Sequence, residues 1–244
     1  MVELTAGRAQ PAMEERVFRL RPTGISSVVW VASFTVIALG LFREWYVAAF
    51  GFETFVQDLR HLAFNAEHCL PAWYTSLLLA LSAAILAIVT ASAARNGENY
   101  LFHWAILTLM FLGLSVDEAT GIHEVAIEPL REGLGLSGFL HFAWVIPGMA
   151  LVALAGLAYL PFLLAQPGRT RAVFLTAGLL YVGGALGMEL IGGKLLTTYG
   201  EESLAYVVAF CTEEVMEILG ATLFATGLLG HLKRRFGGAV LVIA

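Results

Sequence analysis

The chain has 244 residues, of which 59% are hydrophobic and only 14% are charged, and its formal net charge is −5. This composition is far more apolar than a water-soluble globular domain requires, and it argues against that class. The sequence contains no basic patch of the kind that binds nucleic acid. The two cysteines, Cys69 and Cys211, form no CxxC pair, which excludes a zinc-finger framework and leaves one possible disulfide.

Six apolar stretches dominate the chain. A helix needs about 20 apolar residues to cross the hydrocarbon core of a bilayer, and each stretch is close to that length. We therefore predict an all-α protein, a polytopic membrane bundle of about six transmembrane helices that interacts with membrane lipids. The predicted spans cover residues 25–42, 71–94, 100–124, 138–165, 172–198 and 204–232.

The positions of Lys and Arg predict the orientation of the bundle, because these residues accumulate in cytoplasmic loops. With the N-terminus inside, ten basic residues fall on the inner side and three on the outer side. The inner ten are Arg8, Arg16, Arg19, Arg21, Arg95, Arg169, Arg171, Lys233, Arg234 and Arg235, and the outer three are Arg43, Arg60 and Arg131. We predict a cytoplasmic N-terminal tail at 1–24, a short C-terminal tail at 233–244 on the same side, and a multi-pass protein of the cytoplasmic (plasma) membrane.

The transmembrane domain is predicted to cover residues 25–232 and to include one segment that lies along the outer interface. Residues 43–70 mix aromatic and charged side chains, as an amphipathic interfacial segment does. Four aromatic residues are also placed where a belt at the outer interface is expected. These are Trp73, Trp144, Tyr199 and Tyr206.

Carboxylates and a histidine occur inside or beside three predicted helices, where they are costly and indicate function. At about 1.5 Å per residue, Asp117, Glu189 and Glu217 come out at about 24–27 Å above the inner boundary, and Glu213 at about 30 Å. The three helices therefore present acids at one level, just inside the outer edge of the hydrocarbon. The predicted site consists of Asp117, Glu118, His123, Glu124, Glu189, Glu213, Glu214 and Glu217.

Helical periodicity predicts that these acids share faces. At about 100° per residue, Glu213, Glu214 and Glu217 fall within one arc of about 100°. The same geometry places Asp117, Glu118 and Glu124 within about 120° of each other, with His123 pointing off that arc. Small residues near Glu189 predict close helix packing around it. A plain structural alternative is that Glu189 pairs with Lys194, five residues later.

Acids at one level in a medium of low dielectric constant repel one another, so they require protons or cations. Carboxylates with an imidazole suit a divalent metal ion such as Fe, Mn or Zn, which we predict as the cofactor. The pattern contains neither HExxH nor the paired ExxH of di-metal helix bundles.

Three functions are consistent with these features. The first is a metal-dependent membrane enzyme whose lipid or other amphiphilic substrate reaches the site from the outer leaflet. The second is a carrier or channel for cations or protons, although the inner halves of the spans are almost free of polar side chains. The third is a non-catalytic assembly or sensor subunit that contacts a protein partner or senses pH.

Overall fold

A computed structural model describes residues 16–19, 22–51, 55–66, 68–236 and 240–243. Parts of both predicted tails, and residues 52–54 and 67 of the predicted interfacial segment, lie outside the described residues. The helices are α1 (Pro22–Phe50), α2 (Leu70–Arg95), α3 (Leu101–Thr120), α4 (Ile127–Leu134), α5 (Val145–Leu164), α6 (Gly168–Val182), α7 (Glu189–Tyr199) and α8 (Leu204–Phe236). Two strands flank them, β1 (Arg16–Arg19) and β2 (Val240–Ile243).

Six helical segments are long and apolar enough to cross a membrane, which confirms the predicted helical architecture. One of these segments combines α6 and α7, because the π-helical turn Gly183–Met188 joins them without a break. The segments are Thr23–Phe50, Leu70–Arg95, Leu101–Thr120, Val145–Leu164, Gly168–Tyr199 and Leu204–Arg235.

The observed helix ends differ from the predicted ends at three places. Helix α1 continues to Phe50, so the start of the predicted interfacial segment is helical, and only Phe55–Leu62 forms a separate 3₁₀ segment. Helix α3 ends at Thr120 because Gly121 adopts a left-handed φ of 62°, a conformation that terminates helices. Helix α5 begins only at Val145. The connection 121–144 therefore holds three short helical pieces, Ile122–Ala126, α4 and Gly138–Leu140.

The two strands define one end of the bundle. They pair antiparallel, with Arg16 opposite Ile243 and Arg19 opposite Val240, so the segments before α1 and after α8 meet. We call this end, which also carries the connections 96–100 and 165–167, the ribbon end. The opposite end carries the connections 51–69, 121–144 and 200–203 and is called the acidic end. The ribbon was not predicted, because four residues on each side give little local signal.

Helix α8 occupies the centre of the bundle and packs against α1, α2, α6 and α7. A buried hydroxyl group on α1 ties these helices together: Ser33 Oγ lies 2.6 Å from Thr222 Oγ1 on α8 and 2.9 Å from Tyr74 Oη on α2. Helices α2 and α3 are joined by reciprocal hydrogen bonds between Ser76 and Ser115, at 2.7 and 2.9 Å. Such hydrogen bonds stabilise helix contacts in an apolar medium, where the hydrophobic effect between helices is weak.

The half of the bundle toward the ribbon end is closed by an apolar core. Phe111 on α3 stacks on Phe224 of α8 at a centroid distance of 4.3 Å, and Trp104 packs edge-on against Phe162 of α5 at 4.7 Å. Leu228 at the centre is fully buried. Apolar side chains therefore pack between the acidic groups and this end in the described part of the bundle.

Candidate functional site: a carboxyl cluster

The centre of the site is the acidic turn of α8, which carries Glu213, Glu214 and Glu217. Glu217 is the deepest of these, with only 7% of its surface exposed. Its carboxyl group interacts electrostatically with Glu118 of α3, with Glu214 and with Glu189 of α7. Acids on three helices that were predicted to lie at one level are therefore neighbours in space.

Glu189 connects α7 to the acidic turn. Its carboxyl group lies close enough to Glu213 for the two acids to interact electrostatically. On its other side, the indole Nε1 of Trp144 donates a hydrogen bond to Glu189 Oε1 at 3.1 Å. Among the described residues no ion pair joins Glu189 to Lys194, so the alternative of a simple salt bridge is wrong.

Asp117 and His123 form a second pair at the end of α3. The carboxylate of Asp117 accepts from the backbone N–H of His123 at 2.9 Å, and its other oxygen lies 2.8 Å from His123 Nδ1. The pair exists because the chain turns back at Gly121, which brings residue 123 beside residue 117. The imidazole also packs against Trp144, with ring centroids 4.5 Å apart. A continuous series of contacts thus runs from Asp117 to Glu213.

A π-helical turn positions Glu189. The segment Gly183–Met188 has the wider π geometry, which recurs at functional sites because it re-aims the residues beside it. Gly184 within this turn lies directly against α8. A Cβ atom added there would lie 2.9 Å from the carbonyl oxygen of Glu213 and 2.9 Å from Cγ of Glu217. Only glycine allows the helices that carry the acids to approach this closely.

Two aromatic residues of the site were not predicted. Trp144, predicted to form part of an interfacial belt, is half-buried and lies between His123 and Glu189. Tyr181 of α6 interacts electrostatically with Glu118 and Glu217, and its backbone packs on Gly220. Neither residue has a distinctive sequence signal, since aromatic residues are common in membrane helices. Tyr206, also predicted for the belt, is buried, whereas Trp73 and Tyr199 are exposed.

A buried ion pair borders the cluster. Arg43 Nη1 lies 2.9 Å from Glu44 Oε2, and both residues are buried in α1, although Arg43 was predicted in an outer loop. Glu44 Oε1 also accepts from the backbone N–H of Phe64 at 3.0 Å. The Cys211 side chain of α8 interacts electrostatically with Arg43, Glu44 and Glu214. The Arg43–Glu44 ion pair therefore lies near the acidic turn of α8. Cys69 and Cys211 are both free thiols.

The connection 121–144 is held over α7 by a histidine. Burial, reinforced by the charge of Arg131, lowers the pKa of the His141 imidazole below its usual value. Arg131 Nη1 lies 3.2 Å from His141 Nε2, so a neutral imidazole accepts this hydrogen bond. Because His141 also lies close against Gly193 of α7, the connection covers the side of the cluster that holds Glu189.

Direct contacts or electrostatic interactions link seven of the predicted site residues to one another or through Trp144. Glu124 is exposed on the turn Ile122–Ala126, and the arc predicted for it on α3 is wrong because the helix ends before it. Within the described part of the chain, no group of three or more His, Cys, Asp or Glu is arranged so that it could hold a metal ion. The seven are Asp117, Glu118, His123, Glu189, Glu213, Glu214 and Glu217.

Comparison with known proteins identifies a family and no function. No curated protein and no solved structure matches the chain. One family model, described as a domain of unknown function (DUF8692), matches residues 24–232. This range includes all six candidate spans apart from residue 23 and residues 233–235. The chain therefore belongs to the DUF8692 family.

Proposed function

We propose that the chain is a multi-pass membrane protein that binds and releases protons at the carboxyl cluster, with access from the acidic end. The proximity of Glu189 and Glu213 carries this proposal. Two carboxylates this close in a buried site repel each other when both are ionised, so we expect them to share one proton. A further buried acid, Glu217, lies beside this pair.

The surroundings favour proton binding over a fixed structural role. The groups that contact the pair are an indole and further carboxyl groups, and the Arg43–Glu44 ion pair that borders the cluster already balances its own charge. Like charges in a site of low dielectric constant favour the uptake of cations, and the proton is the smallest of these. The His123–Asp117 pair at the end of α3 gives a route along which protons reach the cluster from the acidic end.

The charge bias of the sequence assigns the acidic end to the outer face of the membrane and the ribbon end to the cytoplasm. The packed aromatic core toward the ribbon end makes the site one-sided in this conformation. A carrier of the predicted class would have to open that core in a second conformation.

Infrared spectroscopy of the purified protein tests proton binding. We expect the C=O stretching band of a protonated carboxyl group at pH 7, and we expect it to shrink reversibly as the pH is raised. Glu213→Gln should remove a large part of the band, because the amide N–H replaces the shared proton. Glu132→Gln, which changes an exposed acid of α4, is the matched control and should leave the band unchanged. A wild-type spectrum without this band at pH 7 would contradict the proposal.

The Asp117–His123 pair favours a second candidate function, the metal-dependent membrane enzyme acting on a lipid or other amphiphile. A carboxylate hydrogen-bonded to Nδ1 fixes the ring and leaves Nε2 as the atom that could bind a metal ion, the arrangement that orients histidine ligands in metal sites. Elemental analysis of protein purified in detergent and washed with a mild chelator tests it. This function requires near-stoichiometric Fe, Mn or Zn that is lost in Glu217→Gln, and metal-free wild-type protein would exclude it.

A further inference from the structure

A cavity of about 340 Å³ opens at the acidic end, between the start of α2 and the end of α3. Trp73 and Leu70 form part of its apolar wall, and Glu118 supplies a carboxyl group from α3. The cavity is open to the surroundings, because Trp73 is 57% exposed. Since Glu118 also interacts with Glu217, the cavity borders the carboxyl cluster. A molecule bound here would alter the charge balance of the site.

The charges of the cavity select a cation. Burial raises the pKa of the Cys69 thiol to about 11, so this wall residue is uncharged near neutral pH. Glu118 is the acid in the wall, His68 adds an imidazole to it, and Glu214 lies close enough to interact with Cys69. An anionic ligand would be repelled by these acids, whereas a cation would be attracted.

The start of α2 does not compensate for this negative charge. Helix N-termini attract anions through free backbone N–H groups, but here the first turn is largely satisfied from within. Pro71 has no N–H, the N–H of Ala72 donates to Cys69 Sγ, and the N–H of Trp73 donates to the carbonyl of Cys69. The indole of Trp73 instead offers a π face, which attracts cations, particularly ammonium groups.

We propose that this cavity binds a hydrophobic organic ammonium ion, with its charged group beside Glu118 and its apolar part against Trp73 and Leu70. The cavity supplies each element that such a ligand needs: an apolar wall, an aromatic face and a carboxylate. Quaternary ammonium ions and protonated amines share this chemistry.

Binding of the ammonium ion is expected to displace a proton from the cluster. The cation adds one positive charge, the hydrogen bond between two carboxyl groups breaks, and the proton leaves to solvent, so that the charge of the site is conserved. This coupling rests on the proposed function, whereas binding in the cavity does not. A protein that exchanges protons for organic cations is a carrier of the kind predicted from the intramembrane acids.

Isothermal titration calorimetry on detergent-purified protein tests the proposal, with benzyltrimethylammonium as the probe. Its charge is permanent, so protons released on binding come from the protein, and titrations in two buffers of different ionisation enthalpy count them. Benzyl alcohol and phenylacetate serve as the neutral and anionic probes. We expect saturable binding of the cation, binding of the alcohol about tenfold or more weaker, and no binding of the anion.

Variants locate the binding site. Trp73→Ala should weaken binding of the cation about tenfold, and Trp73→Phe should retain most of the affinity because a ring remains. Glu118→Gln should abolish the preference for the cation over the alcohol. Trp45→Ala, at a similarly exposed tryptophan of α1, and Glu132→Gln are the controls and should bind like the wild type.

Equal binding of cation and alcohol, or wild-type binding by both Trp73→Ala and Glu118→Gln, would overturn the cavity proposal. Cation binding without proton release would leave the cavity proposal standing and refute the coupling to the carboxyl cluster. A pH-dependent carboxyl band in the infrared spectrum without cation binding would refute the cavity proposal and leave the proposed proton binding standing. The two failures are therefore distinguishable.

Discussion

Gly184→Ala is expected to destabilise the protein by about 1–3 kcal/mol and to disturb the carboxyl cluster at the same time. The new Cβ atom would lie 2.9 Å from the carbonyl oxygen of Glu213, a backbone atom that cannot rotate away. The helix that carries Glu189 and the helix that carries Glu213 and Glu217 must then separate. The substitution should therefore lower the midpoint of thermal unfolding in detergent and also shrink the carboxyl band of the infrared spectrum.

Gly178→Ala is the matched control for this prediction. Gly178 lies on the same span, and an added Cβ atom there meets nothing within 4 Å. Because alanine favours helix by about 1 kcal/mol over glycine, this variant should be as stable as the wild type or slightly more stable. Equal unfolding midpoints for the two variants would show that the contact between the π turn and α8 is not tight.

Glu217→Leu is expected to stabilise the protein while it reduces proton release from the cluster. Leucine has a volume similar to that of glutamate, and it removes a buried acid that interacts with three other carboxyl groups. Replacing buried charged groups by apolar residues of similar shape often stabilises a protein, by about 1–4 kcal/mol. Residues that serve function commonly lower the stability of the protein, so replacing them often raises it. At roughly 2–4 °C per kcal/mol, the unfolding midpoint should rise by several degrees.

The infrared titration and the thermal midpoint must be measured on the same preparation. Glu132→Leu, at the exposed acid of α4, is the control and should change neither quantity substantially. A marked loss of stability in Glu217→Leu would indicate that the carboxyl group of Glu217 holds the helices together. That result would favour a structural role over a functional one.

The closeness of acids on three helices was predictable. The rise of a helix is constant, so counting residues along α3, along the span that begins with α6, and along α8 placed Asp117, Glu189 and Glu217 at one level before any contact was known. The same counting failed beyond Gly121, because a helix end depends on one backbone conformation that the apolar pattern does not reveal. Glu124 was therefore assigned to a helix face that does not exist.

The partners of the acids were not predictable. Trp144 lies 45 residues before Glu189 in the chain, and their hydrogen bond forms only because the connection 121–144 folds back over α7. The π turn at Gly183–Met188 depends on packing against α8 and has no periodic signature of its own. Residues this far apart in the chain form no local sequence pattern that predicts their contact. Such contacts become evident only in the folded structure.

The sequence by itself determined the apolar, helical character of the protein and the number of helices long enough to span a membrane, because length, apolar content and helical rise are local quantities. The tertiary structure decided which acids meet, that Glu189 pairs with Glu213 and Trp144 and not with Lys194, and that Glu118 faces a cavity. These contacts depend on the rotation and spacing of neighbouring helices. Helix packing sets both quantities through close approaches such as the one at Gly184, which only the assembled bundle shows.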